Sequence, residues 1–290
     1  MYLRLLLIAV AISGCKKGDD DASAVKAPDL QIVSAGNEPR LRLRYQAPKG
    51  SKRDLEIAID VTASAGDMGG PMPTIVLTLS LVVEDVVPAG MKLRTTVVDA
   101  VARDRDDTRV DPKALTGPLD LMRGIVFTTT MGPTGRLTGT TIELGNKQLS
   151  GAAKSQLAAL TTSFDQLMMT LPDDPVGVGA VWRNSKPLEQ NGMKMTAVNS
   201  VELTAITGDT LTYELETQVH GDDQTLKQGE LTVDIKDVTG TGAGKGTIDL
   251  RTLALTSEID TEFRSAMQAH GEPDATPMKM TISTKVAPPK

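Results

Sequence analysis

The chain has 290 residues, a net charge of −6 and a pI of about 5.1. This length allows one large β-rich domain or two small ones. An acidic chain without a cluster of Lys and Arg lacks the charge pattern of nucleic-acid-binding proteins, so we expect no nucleic-acid partner. Because aromatic residues make up 2% of the chain, the core must be built from Leu, Val, Ile and the 13 Met.

The N-terminus has the pattern of a bacterial lipoprotein signal. Arg4 is followed by Leu5–Ile12, an apolar run too short to remain as a membrane-spanning helix. Ile12-Ser13-Gly14-Cys15 resembles the lipobox, in which the cysteine is acylated and the preceding peptide is removed. The resemblance implies a signal peptide over residues 1–14 and lipidation of Cys15, the sole cysteine. The alternative is an ordinary secretory signal in which the cysteine is incidental.

Residues 15–29 are small, polar and charged, and they predict a flexible tether. In lipoprotein sorting, an Asp directly after the acylated cysteine favours the inner membrane, whereas Lys16 stands at that position here. The resemblance therefore implies a protein of the cell envelope, at the outer membrane and facing the periplasm or the surface. The membrane is then a partner through the lipid on Cys15.

Residues 30–290 predict a single β-rich domain made of two arms. In the first arm, residues 30–144, apolar and polar residues alternate as in strands with one dry face. The segments predicted there include strands at Leu55–Val61 and Thr74–Val83, a loop at Gly66–Pro73, and a closing hairpin made of Gly124–Thr130 and Leu137–Leu144.

The second arm, residues 176–286, alternates in the same way. Trp182 opens its first strand, and Gly208-Asp209 predicts a hairpin turn. The run Gly240–Thr247 lacks the residue order and the following helix of a phosphate-binding loop, so we predict a flexible hairpin loop there. Strands and turns follow a similar order in both arms, which indicates that the two arms are an internal repeat.

Between the arms, residues 148–171 predict one long amphipathic helix that ends at Pro172. Its apolar stripe consists of Leu149, Ala153, Leu157, Leu160, Phe164, Leu167 and Leu171. Strands with one apolar face must bury that face against another element, and this helix is the predicted element. The predicted fold is therefore α+β: a long, curved, mainly antiparallel and half-barrel-like sheet wrapped on one central helix. We expect Trp182 to anchor the packing at the junction after the helix.

Two resemblances follow from this junction and from the architecture. Leu171-Pro172, Pro175-Val176, Val178-Gly179 and Trp182 resemble the mid-chain motif of a family of uncharacterised bacterial secreted proteins and lipoproteins. The architecture also resembles the half-barrel carriers and receptors of the lipoprotein-localisation system, in which a sheet and helices enclose an apolar cavity. The first family has no assigned activity and the second likeness is architectural, so neither supplies catalytic residues.

Residues suited to catalysis are sparse. His220 and His270 lack the spacing of metal ligands, no Gly-x-Ser-x-Gly elbow occurs, and arginines interrupt the carboxylates between Asp104 and Asp111. We expect no enzymatic activity, no metal and no cofactor. Two functions stay open: a lipid-anchored binding or structural module that meets an envelope protein, or a carrier or sensor of an apolar ligand. In the second case the predicted lining residues are Leu157, Leu160, Phe164 and Met168.

Overall fold

The structure is a computed structural model that describes residues 30–108, 110–145, 168–190, 193–228, 231–269 and 274–289. Within these residues the strands are β1 (Leu30–Ala35), β2 (Lys52–Ala65), β3 (Met68–Pro71), β4 (Thr74–Val87), β5 (Gly90–Arg103), β6 (Val126–Met131), β7 (Leu137–Glu143), β8 (Ala180–Gln190), β9 (Met193–Thr207), β10 (Thr210–Gly221), β11 (Gln224–Gln228), β12 (Leu231–Asp249), β13 (Leu255–Ala269) and β14 (Ala275–Ala287). Two short helices, a 3₁₀ turn at Pro112–Leu115 and α1 at Thr116–Met122, lie between β5 and β6.

All these strands form one sheet in the spatial order β1–β8–β9–β10–β12–β13–β14–β2–β4–β5–β6–β7, with β3 beside β2 and β11 beside β12. From β2 onward each arm is an antiparallel meander, and β14 joins the two by pairing with β2. The strand β1 is an exception to the predicted first arm, residues 30–144, because it pairs with β8 at the edge of the second arm. In the described part of the chain, β1 and β7 are the two edges and do not pair with each other, so the sheet is open. The predicted mainly antiparallel sheet is confirmed, as are the hairpins at Gly208-Asp209 and between β6 and β7.

The predicted central helix is not supported. Residues 148–167 of it lie outside the described residues, and Met168–Leu171, its predicted last turn, are not helical. The physical reason is a set of long-range hydrogen bonds: the Leu171 N–H donates to the Thr134 carbonyl at 2.9 Å, and the Tyr45 hydroxyl donates to the Met169 carbonyl at 2.9 Å. In the described residues, no helix combines the length and the apolar character needed to cross a membrane.

The main core lies between the two arms. Leu55, Leu79 and Leu93 of the first arm share one buried cluster with Leu203, Leu211 and Ile248 of the second. Two non-strand segments, residues 41–47 and 168–179, add buried side chains to the same cluster. The apolar faces of both arms therefore turn toward each other.

The sheet bends sharply at β12. Alternate residues of β12 point to one face, and four of them lack a side chain; we call Gly240, Gly242, Gly244 and Gly246 the glycine stripe. Neighbouring strands fill the space above it: a Cβ at Gly246 would lie 2.6 Å from the Tyr213 hydroxyl oxygen, and one at Gly242 would lie 2.8 Å from the Thr261 hydroxyl oxygen. Cα atoms of β10 and β13 thereby come within 8 Å of each other across β12, against about 9.5 Å expected for a flat sheet.

This bend gives the sheet a concave face, which bears the glycine stripe and the main core. One prediction is wrong here. Gly240–Thr247 is not a flexible hairpin loop but lies inside the long strand β12. A second, smaller correction concerns Gly66–Pro73, a predicted loop that contains the short strand β3.

We expect Gly246→Ala to lower the free energy of unfolding by about 1–3 kcal/mol, because the new methyl group meets the Thr256 carbonyl oxygen at 2.5 Å as well as Tyr213. Gly117→Ala is the matched control, since a Cβ there meets nothing within 4 Å. Urea unfolding monitored by circular dichroism measures both. Equal midpoints for the two variants would contradict the close approach over β12.

Candidate functional site

The predicted lining residues do not come together as a groove. Leu157, Leu160 and Phe164 lie outside the described residues, as does the predicted lipidation site Cys15. Met168 is described, and it is only 4% exposed inside the main core. Met168 is therefore a packing residue rather than the wall of an open cavity.

The junction after the predicted helix is also structural. Trp182 is 1% exposed, and its indole N–H donates to the Thr170 carbonyl at 3.0 Å, which confirms it as a packing anchor. The Arg44 guanidinium donates to the carbonyls of Pro172 and Asp173, both at 2.8 Å. A Cβ at Gly177 would lie 1.8 Å from the Asn37 carbonyl oxygen, so only glycine fits there. The junction thus closes one end of the main core.

A partly exposed apolar surface lies further along the concave face. A second buried cluster, made of Met195, Ala197, Val219, Ile235 and Val238, occupies the far end of the second arm. Between the two clusters, apolar side chains of β2, β13 and β14 are only partly buried, and within the described residues they belong to neither cluster. We call these residues the mid-sheet face: Ile59, Val61, Ile259, Met280 and Ile282.

The mid-sheet face shares the concave side with the main core because of strand alternation. Ile59 and Val61 follow the core residue Leu55 at even spacing on β2, and Ile282 precedes the core residue Val286 in the same way on β14. The pairings Val61 with Ile282 and Ile259 with Gly244 place them in adjacent rows of the sheet. These apolar side chains therefore form one continuous surface.

A line of uncharged polar residues borders this surface. Pairing across neighbouring strands places Asn184 beside Asn199, Asn199 beside Thr217, Thr217 beside Gly242, and Gly242 beside Thr261. We call these five positions the polar row. The same line continues from Thr261 through Ile282 to Val61, so the polar row runs directly into the mid-sheet face.

One member of the polar row is buried with an unmet hydrogen-bonding capacity. Asn184 is 8% exposed, and its side-chain Oδ1 has no hydrogen-bond partner among the described residues. Asn199, directly opposite, uses its Oδ1 to accept from the Thr217 hydroxyl at 2.8 Å. Buried polar atoms in folded proteins nearly always have a partner, so Asn184 stands out.

The polar row is absent from the predictions made from the sequence, although the sequence carries a signal for it. Asn184 follows the core residue Trp182 at even spacing, and Asn199 precedes the buried Val201 in the same way. Side chains alternate between the two faces of a strand, so an amide at the spacing of the buried apolar residues lies on the buried face of the sheet. The pairing that lines these residues up could not be read from any single strand.

The opposite, outer face carries a groove of about 620 Å³ over β12, β13, β14 and β2. Its charged side chains are paired to a large extent: Glu262 contacts Lys279 at 2.8 Å and Arg264 at 2.7 Å. The hydrogen bond from Lys279, followed by the one from Arg264, lowers the pKa of Glu262. Arg105 lies 3.7 Å from Asp60 at the rim. This groove is best explained as a solvated network of charges on the outside of the sheet.

A second polar cavity, of about 390 Å³, lies where the β9–β10 turn meets the β12–β13 loop. Its organising residue is Asp249, which accepts from the backbone N–H groups of Arg251 at 3.0 Å and Thr252 at 2.7 Å, and from the Thr210 hydroxyl at 3.1 Å. Burial, the largest single influence, raises the pKa of Asp249, but these hydrogen bonds together outweigh it and the net effect is a lowered pKa. The carboxylate therefore holds the loop together.

Within the part of the chain that the structure describes, no group of three or more His, Cys, Asp or Glu side chains is placed to hold a metal ion. The buried tyrosines of the concave side are neutral at pH 7. Burial raises the pKa of Tyr213 to about 12, and burial likewise raises the pKa of Tyr45. Apolar contact and neutral hydrogen bonding are thus what the mid-sheet face and the polar row can offer a ligand.

We expect Asp249→Asn to unfold at a lower urea concentration than the wild type at pH 7. A lowered pKa in the folded state means that the ionised carboxylate stabilises the fold above the unfolded-state pKa, and that this stabilisation is lost as the pH falls below about 4. The difference between variant and wild type should therefore shrink across that window. Asp209→Asn, which removes an exposed ion pair of 3.8 Å to Arg251, should change little. A pH-independent difference would contradict this role of Asp249.

The comparisons with known proteins cover part of the chain. Residues 135–252 match a family of unknown function (DUF6263). This stretch runs from just before β7 through the junction to the loop after β12, which is less than half of the chain. No curated protein matches the sequence. The chain is similar to that family over this region, and the similarity brings no activity with it.

Proposed function

We propose that this protein is a lipid-anchored binding module of the cell envelope, without catalytic activity, that holds an apolar ligand on its mid-sheet face. The observation that carries the proposal is the partly exposed apolar surface between two buried clusters on the concave face. In this proposal the ligand lies on the sheet, away from the helix stripe predicted from the sequence. The role of carrier or sensor is thereby favoured over that of a purely structural module.

The physical driving force is burial of apolar surface. Each methylene group removed from water contributes about 0.8 kcal/mol, so an alkyl chain laid across β13, β14 and β2 gains several kcal/mol. Met280 adds adaptability, because its unbranched side chain repacks around ligands of different shape.

The lipid anchor rests on the lipobox resemblance around Cys15. Acylation of the cysteine together with its new N-terminus supplies more than one chain, which durable attachment requires. The anchor would keep the folded part close to a membrane, where apolar ligands are found. An outer-membrane location follows from Lys16 after the cysteine and is part of the same proposal.

We expect Val61→Asn to weaken binding of an uncharged, environment-sensitive alkyl fluorophore about tenfold, equivalent to about 1.4 kcal/mol. Val61 belongs to the mid-sheet face and is only partly buried, so the fold should survive the change. Thr62→Asn is the matched control, because Thr62 lies next to it on the outer face. Fluorescence titration of the purified full-length chain measures both. Absence of saturable binding by the wild type, or equal loss in both variants, would refute the proposed site.

Metabolic labelling with a palmitate analogue tests the anchor. We expect the wild type to be labelled and Cys15→Ser to remain unlabelled, because the chain contains no other cysteine. The wild type should also fractionate with membranes, whereas the variant should not. Labelling of both proteins, or of neither, would show that Cys15 is not the lipidated residue.

A further inference from the structure

We infer that the ligand is amphipathic and that the polar row receives an uncharged hydroxyl or amide group at one end of its alkyl chain. The inference rests on the proposed function and adds the chemical class of the ligand. Its basis is the position of Asn184, Asn199, Thr217 and Thr261 in one line that continues into the mid-sheet face.

Asn184 is the member of the polar row whose side-chain hydrogen-bonding capacity is unmet among the described residues. Its side chain is buried on the concave face, and its Oδ1 accepts no hydrogen bond from any described residue. The Oδ1 of its cross-strand neighbour Asn199 already accepts from the Thr217 hydroxyl. A carboxamide offers one acceptor and two donors. A ligand hydroxyl, which both donates and accepts, or a ligand amide can satisfy it in either orientation of the side chain.

The row reaches the apolar surface without interruption. Thr217 of β10 and Thr261 of β13 lean toward each other above Gly242, where a Cβ would lie 3.5 Å from the Thr217 Cβ and 2.8 Å from the Thr261 hydroxyl oxygen. Beyond Thr261 come Ile282 and Val61. A single-chain ligand can therefore place its polar end along the row and its alkyl chain on the mid-sheet face.

The polar end is uncharged because nothing on the row balances a charge. All five positions are neutral, and burying an unbalanced charge next to apolar side chains is unfavourable. A carboxylate accepts hydrogen bonds but donates none, so it leaves the Asn184 Oδ1 unsatisfied and brings a charge that no residue of the row balances. Lys186 lies two residues further along β8 on the same face, and it already has an interaction partner.

The test compares ligands of one chain length that differ in the end group: a primary alcohol, a primary amide, a carboxylic acid and the plain hydrocarbon. Displacement of the alkyl fluorophore from the full-length chain gives the affinities. We expect the alcohol and the amide to bind about tenfold more tightly than the acid and the hydrocarbon, the effect of one net hydrogen bond. In Asn184→Leu this preference should disappear while the hydrocarbon binds as before.

Ser185→Leu is the matched control, since Ser185 is the exposed neighbour on the other side of β8 and should leave the preference intact. Thr261→Val keeps the side-chain shape and is a second test of the inference. It should reduce the preference for the alcohol and the amide, and it remains informative if Asn184→Leu folds poorly. Equal affinity for all four end groups, or tightest binding of the acid, would overturn this inference but leave the proposed function standing. Failure of every compound to bind would refute the proposed function itself.

Discussion

The close approach of β10 and β13 over the glycine stripe is the constraint on which the rest of the structure depends. A sheet with one dry face must cover that face, and the described chain supplies only two short helices for the purpose. The sheet instead covers itself by bending at β12, where the absence of side chains lets Tyr213 and Thr261 occupy the inside of the bend. The two arms can then bury Leu79 and Leu211 in the same core.

A bend of this kind does not cover all of the concave face equally. The segments 41–47 and 168–179 pack into the main core, and the second cluster buries the far end of the second arm. The middle of β2, β13 and β14 lies between these regions and keeps its apolar side chains partly exposed. The mid-sheet face is thus a consequence of where the sheet bends.

The sequence predicted the features that depend on local order and missed those that depend on pairing. The alternation from Leu55 to Val61 identified a strand and its dry face, because side-chain direction repeats every two residues. The glycine run of β12 was misread because a loop and a close approach use the same residue, and the side chains that fill the space come from other strands. Met168–Leu171 fit an apolar helical period, yet bonds to Thr134 and Tyr45 hold them outside a helix.

The distribution of charge over the two faces of the sheet also supports the proposal that the concave face binds an uncharged ligand. The outer face carries paired ions such as Glu262 with Lys279, which remain in water and avoid the cost of desolvation. The polar row on the concave face is built only from amides, hydroxyls and a glycine, groups that can be partly buried when each finds a partner. The Oδ1 of Asn184 lacks that partner among the residues that the structure describes. In the proposed function, a face that combines apolar surface with one unmet neutral hydrogen bond would select ligands by shape and by hydrogen bonding rather than by charge.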